Sequence, residues 1–178
     1  MNWLAVCGSL RRASSNLALL DAAARLAPDG VRVRLHSLAA LPPFNPDLED
    51  AMPTPVRDWR AAIGAADGVL ISSPEYAHGV SGVMKNALDW LVSGPEFVGK
   101  PVVLLNATTR AGYAPAQLTE TLRTMSGAVI DDASLSLPLL GGTRDGAAIV
   151  VDPAFAVPLA AALGRFAAAI AAMRSESA

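Results

Sequence analysis

Residues 67–91 read DGVLISSPEYAHGVSGVMKNALDWL. Gly68-Val69-Leu70-Ile71-Ser72-Ser73 is the short unbroken apolar run expected of a parallel strand buried on both faces. Turn-forming residues follow at 74–81, then a helical pattern through Leu91. The same strand, loop, helix order appears on either side. Upstream, WLAVC at 3–7 ends at Gly8, and the polar stretch GSLRRASSN at 8–16 leads into a helical pattern over 17–27. Val31 to His36 alternates apolar and charged residues, which predicts a strand with one wetter face or an edge position. Pro42, Pro43, Pro46, Pro53 and Pro55 make 38–55 a long surface connection, and a helix is expected over 55–66.

Downstream, Lys100-Pro101 opens a fourth strand at Val102–Leu105, followed by a polar loop at 106–113 and a helix to about 126. Ala128–Ile130 reads as a fifth strand and 153–174 as a closing helix, while 132–151 fits either a short hairpin-like excursion or a loop. Strands alternating with helices imply a doubly wound α/β fold: a five-stranded parallel sheet with right-handed crossovers and helices on both faces.

The chain has 178 residues, 52% of them hydrophobic, with 14 Lys plus Arg against 16 Asp plus Glu and a net charge of -2. That length suits a single domain over 1–178, and the mean hydropathy of +0.38 excludes intrinsic disorder. Near-neutral charge without a Lys/Arg cluster argues against a nucleic-acid partner. Cys7 is the one cysteine, and His36 and His78 lie far apart, so neither a disulfide framework nor a multi-cysteine metal site is expected. The start Met1-Asn2-Trp3 has no basic leader, which predicts a cytoplasmic protein. The apolar stretch 154–173 is broken by Pro158 and Arg165 and is expected to dock as a helix rather than enter a membrane.

In doubly wound sheets, ligands sit beyond the carboxyl ends of the strands, where the winding reverses. In the order 2-1-3-4-5 the first, third and fourth strands are neighbours, so the loops 8–16, 74–81 and 106–113 converge. The first loop carries Ser9, Arg11, Ser15 and Asn16 at a helix start, where unpaired N–H groups and the helix dipole favour a phosphate. A capping Ser15 or Asn16 with solvated arginines is the plainer alternative. A single glycine in this loop excludes both the Walker and the dinucleotide fingerprints. A cysteine phosphatase centred on Cys7 is disfavoured because position 13 is Ala rather than Arg, which leaves Cys7 as an apolar strand residue. In the second loop Pro74 restricts the turn, and Gly79 and Gly82 permit close approach of a flat ligand. Lys85, Asn86 and Asp89 lie on the helix beyond it and read as structural.

GSLRRASSN at 8–16, the whole stretch 67–91 and the loop 106–113 resemble the NAD(P)H-dependent FMN reductases, which include quinone, chromate and azo-compound reductases. The resemblance covers about 1–130. It implies a flavodoxin-like fold, bound FMN, NADPH or NADH as donor, and a homodimer or homotetramer. By motif position it implies that Ser9, Arg11, Ser15 and Asn16 hold the FMN phosphate, while Pro74, Glu75, Tyr76 and Ala77 line the isoalloxazine. Asn106 and Thr108 add polar groups from the third loop. The implied reaction is ping-pong: hydride from NAD(P)H to FMN, then two electrons to a quinone-like acceptor, with no catalytic side-chain dyad. A flavodoxin-like one-electron carrier is the alternative. In the third loop Arg110 and Tyr113 depart from the glycine-rich pattern of relatives, and the roles of these two residues and of His78 stay open.

Overall fold

The computed structural model describes residues 1–139 and 145–176. Strand β1 (Asn2–Cys7) is buried from Trp3 onward and leads to helix α1 (Ser15–Arg25), whose N-cap is Ser14. Strand β2 (Arg32–His36) follows, then α2 (Thr54–Ala65) and the fully buried β3 (Gly68–Ser72). Where a loop is expected after β3, two short strands, β4 (Glu75–Tyr76) and β5 (Gly79–Val80), form an antiparallel hairpin ahead of α3 (Gly82–Asp89). Next come β6 (Pro101–Asn106), α4 (Tyr113–Thr124), β7 (Ala128–Val129), β8 (Leu135–Ser136), α5 (Gly146–Val151) and α6 (Pro153–Glu176).

The central sheet runs β2-β1-β3-β6-β7, all parallel, with β8 also paired to β6. This is the expected 2-1-3-4-5 order, renumbered because the hairpin precedes the fourth parallel strand. The outermost strand is split. β7 pairs with the first part of β6 and β8 with the last, with a 3-10 turn at Asp131–Ala133 between them. At the break, the Ser134 hydroxyl accepts the Leu104 N–H at 3.2 Å, replacing a ladder bond. The region 132–151 therefore holds a strand and a helix that its sequence left open, and residues 140–144 of that stretch lie outside the described residues.

Side chains alternate across each strand and build two cores. Leu4, Val6, Val69, Ile71, Val102 and Leu104 pack under α2, α3 and α4, while Trp3, Ala5, Leu70, Val103 and Leu105 pack under α1 and α6. Gly68 lets α6 lie on β3, since a Cβ there would sit 2.7 Å from Ile170 Cδ1. β2 is an edge strand, so Leu35, on its apolar side, remains 50% exposed. The proline-rich connection is pinned by α3. The Asn86 side chain accepts the Phe44 N–H at 2.7 Å and donates to the Pro42 carbonyl at 2.9 Å, and Trp90 Nε1 donates to that same carbonyl. Asn86 is structural, as expected, and Lys85 pairs with Asp89 along the helix.

Candidate functional site

The ends of β1, β3 and β6 open into a cleft of about 390 Å³, a volume within the range of small-molecule sites. Ser9, Arg11, Ser15 and Asn16 line one side, Pro74, Glu75 and Tyr76 the middle, and Asn106 and Thr108 the other side. Ala77 stands at the tip of the hairpin turn, outside the lining. Ser14, Ser73, Ala107, Arg110 and Ala111 also line the cleft.

Gly8 brings the first two walls together. Its N–H donates to the Ser72 carbonyl at 2.8 Å, and a Cβ at this position would fall 2.3 Å from Ser73 Oγ and 2.9 Å from Ser81 Oγ. Ser81 donates to the Gly8 carbonyl at 2.7 Å while capping α3 through the Met84 N–H. Across the same seam Ser72 Oγ donates to Asn16 Oδ1 at 2.9 Å. Ser14, rather than Ser15 or Asn16, caps α1, accepting the Leu17 N–H. The cap thus falls one residue before the Ser15 or Asn16 expected, because the helix begins at Ser15. Cys7 is buried beneath this loop, and burial pushes its thiol above the ordinary cysteine range, the reverse of an activated nucleophile.

The middle wall is held from α4. Glu75 Oε2 accepts the N–H groups of Gly112, Tyr113 and Ala114 at 3.2, 3.0 and 2.8 Å, so its carboxylate caps the N-terminus of α4. Gln117 adds a bond to the His78 carbonyl at 3.3 Å. The hairpin turn needs this support. Ala77 and His78 have φ of 49° and 60°, a left-handed pair that favours Asn-Gly and costs about 1–3 kcal/mol per ordinary residue. The His78 ring stacks on Tyr113 with centroids 4.3 Å apart and planes 10° from parallel. Both tyrosines of the chain are exposed at this end, Tyr76 at 60% and Tyr113 at 58%, whereas all three tryptophans are buried.

The charged residues of the lining are Arg11, Arg110 and Glu75. Two arginines against one carboxylate, itself hydrogen-bonded to the start of α4, leave the lining with a net positive charge. No group of three or more His, Cys, Asp or Glu that could hold a metal is present among the described residues.

Residues 1–139 match the family model described as NADPH-dependent FMN reductase. The chain belongs to this family. It is 41% identical over 125 residues to an NAD(P)H-dependent FMN reductase of Pseudomonas aeruginosa, an alignment covering 67% of this chain and 68% of that protein. It is 39% identical over 117 residues to a 2-hydroxy-1,4-benzoquinone reductase of a Burkholderia species, covering 63% of each. Against a quinone reductase of Escherichia coli the figure is 38% over 102 residues, 54% of each. The alignments thus span about half to two thirds of these relatives' lengths. The fold matches that of FerB, a flavoenzyme NAD(P)H:(acceptor) oxidoreductase from Paracoccus denitrificans, with a TM-score of 0.80 at 24% identity over 95% of this chain and 96% of that one. As a family member the chain is an oxidoreductase that works with FMN and a nicotinamide donor.

Proposed function

We propose that this protein is a single FMN-binding domain over 1–178 that passes electrons from NAD(P)H to a quinone-like acceptor. FMN, when bound, supplies the two-electron chemistry, accepting hydride from the donor and passing the electrons on. The observation that carries the reading is the charge pattern of the cleft: hydroxyls and Arg11 gather at the start of α1, whose first turn has no acidic residue, and the one acid in the lining is turned onto α4. That donor set fits a phosphate, and the strand-end position is where doubly wound folds take ligands. Ser9, Arg11, Ser15 and Asn16, with Ser14, hold the phosphate end. Pro74, Glu75 and Tyr76 form the wall for the isoalloxazine, with Glu75 acting by fixing the hairpin and Ala77, expected in this wall, set at the turn outside the lining. Asn106 and Thr108 close the far side.

The acceptor class is supported by the relatives named as quinone reductases. The enzyme is further read as a homodimer or homotetramer in the cytoplasm, with no nucleic acid partner. Helix α6 is long and apolar enough to cross a membrane, but it docks Leu159, Leu163, Phe166 and Ile170 on the sheet, and we read it as a docked C-terminal helix. Fluorescence titration with FMN tests the phosphate assignment. Arg11→Ala should weaken FMN binding about tenfold, the equivalent of about 1.4 kcal/mol, without lowering the melting temperature of the flavin-free protein. Unchanged affinity removes Arg11 from the site.

A further inference from the structure

We propose that Arg110 is the donor-recognising residue of this enzyme, holding a phosphate group of the nicotinamide dinucleotide. The inference rests on the reading of the cleft as the FMN site. Of the two cations in the lining, Arg11 belongs to the loop at the start of α1, and Arg110 stands on the separate loop after β6. Arg110 has no side-chain hydrogen bond or ion pair among the described residues. Glu75, the one acid in the lining, directs its Oε2 to three backbone N–H groups at the start of α4 instead. The loop is nonetheless shaped, with the Arg110 N–H donated to Thr108 Oγ1 at 3.0 Å. Three residues on, Tyr113 carries the exposed stack with His78, a flat aromatic surface at the same end of the molecule.

The separate placement of the two cations points to a second anion. A flavin phosphate is served by the hydroxyls, Arg11 and the start of α1. A nicotinamide dinucleotide brings a pyrophosphate, and NADPH a 2′-phosphate besides, into a cleft whose second cation, Arg110, stands on a different loop from Arg11. Exposure suits the role, because an ion pair in water is weak enough for a donor that must depart before the acceptor enters.

The test uses the FMN-loaded protein and its Arg110→Ala and Arg110→Lys variants. With a fixed quinone, kcat/KM is measured for NADPH, NADH and reduced nicotinamide mononucleotide, which lacks the adenosine half. Arg110→Ala should lower the preference for the dinucleotides over the mononucleotide about tenfold, with Arg110→Lys intermediate. Independently of turnover, calorimetry should show weaker binding of ADP-ribose or its 2′-phosphorylated form to the alanine variant. Loss with both dinucleotides assigns the pyrophosphate and loss with NADPH alone the 2′-phosphate; each upholds the proposal. An unchanged preference overturns it. So does a parallel fall in FMN affinity, which would give Arg110 to the flavin. Wild-type protein that takes up no FMN overturns the underlying reading and the proposal with it.

Discussion

The hairpin wall and the loop at the start of α1 face the same cleft and use their polar groups in opposite ways. In the hairpin, Glu75 caps α4, the His78 carbonyl takes Gln117, and Ser73 and Ser81 bind each other across the seam with Gly8. In the α1 loop, Arg11 and Arg12 have no side-chain partner among the described residues, and the Ser9 hydroxyl accepts the nearby Arg11 N–H. The first wall ties its polar groups into the fold, whereas the second engages Ser14 and Asn16 but leaves its two guanidinia without a side-chain partner among the described residues. A charged residue in a cleft is therefore ligand-facing when its partners are absent and architectural when they are present, whatever its type suggests.

The largest break in this contrast should come from Gly8→Ala. The new methyl overlaps Ser73 and Ser81, so the two walls must part. Overpacking of this kind costs about 1–3 kcal/mol, read as a lower urea midpoint, and FMN binding should be lost with it. Asn86→Ala is the complementary case. It strips two of the three tethers from the proline-rich connection, leaving Trp90 on the Pro42 carbonyl, and should destabilise the protein by about 1–3 kcal/mol while FMN affinity per folded molecule holds. Glu75→Gln sits between them. Removing the charge at the α4 N-terminus should cost about 0.5–2 kcal/mol and loosen the hairpin, seen as faster amide exchange at Tyr76–Gly79 and a raised KM for the acceptor.

Two smaller effects sharpen the picture. Tyr76→Ala should shift the absorbance of bound flavin or its rate of reduction, and a variant unchanged in both confines Tyr76 to a structural role. Away from the cleft, the Arg60 guanidinium holds the Glu96 carboxyl below its usual range through a two-pronged pair. A depressed folded-state carboxyl contributes stability above its unfolded pKa and loses it as pH falls through the folded one. Glu96→Gln should thus cost about 1 kcal/mol at neutral pH and nothing once the medium is below both values.

The fold was legible because its signal is repeated: β1, β3 and β6 are each unbroken apolar runs followed by turn residues and a helical period. In the outer strand β7 was legible as Ala128–Ile130, but its continuation β8 and helix α5 were not, because β8 spans only two residues and the break is bridged by a hydroxyl at Ser134, which no periodicity reports. The hairpin was hidden for a different reason. Its turn uses Ala77 and His78 where sequence rules look for Asn-Gly, and tertiary tethers from α4 hold it. In the cleft, the residue types at Ser9, Arg11 and Asn106 announced polar walls, while the capping by Ser14 turns on where the helix starts and the diversion of Glu75 on backbone atoms far away in sequence.

The central claim is that this cationic cleft holds FMN and serves NAD(P)H and a quinone in turn. An anaerobic absorbance titration tests it most directly: FMN is added to the purified protein, then NADPH, then a quinone. The account predicts flavin bands that bleach with NADPH and return with the quinone. Bound flavin that NADPH leaves oxidised, or no uptake of FMN at all, would contradict it.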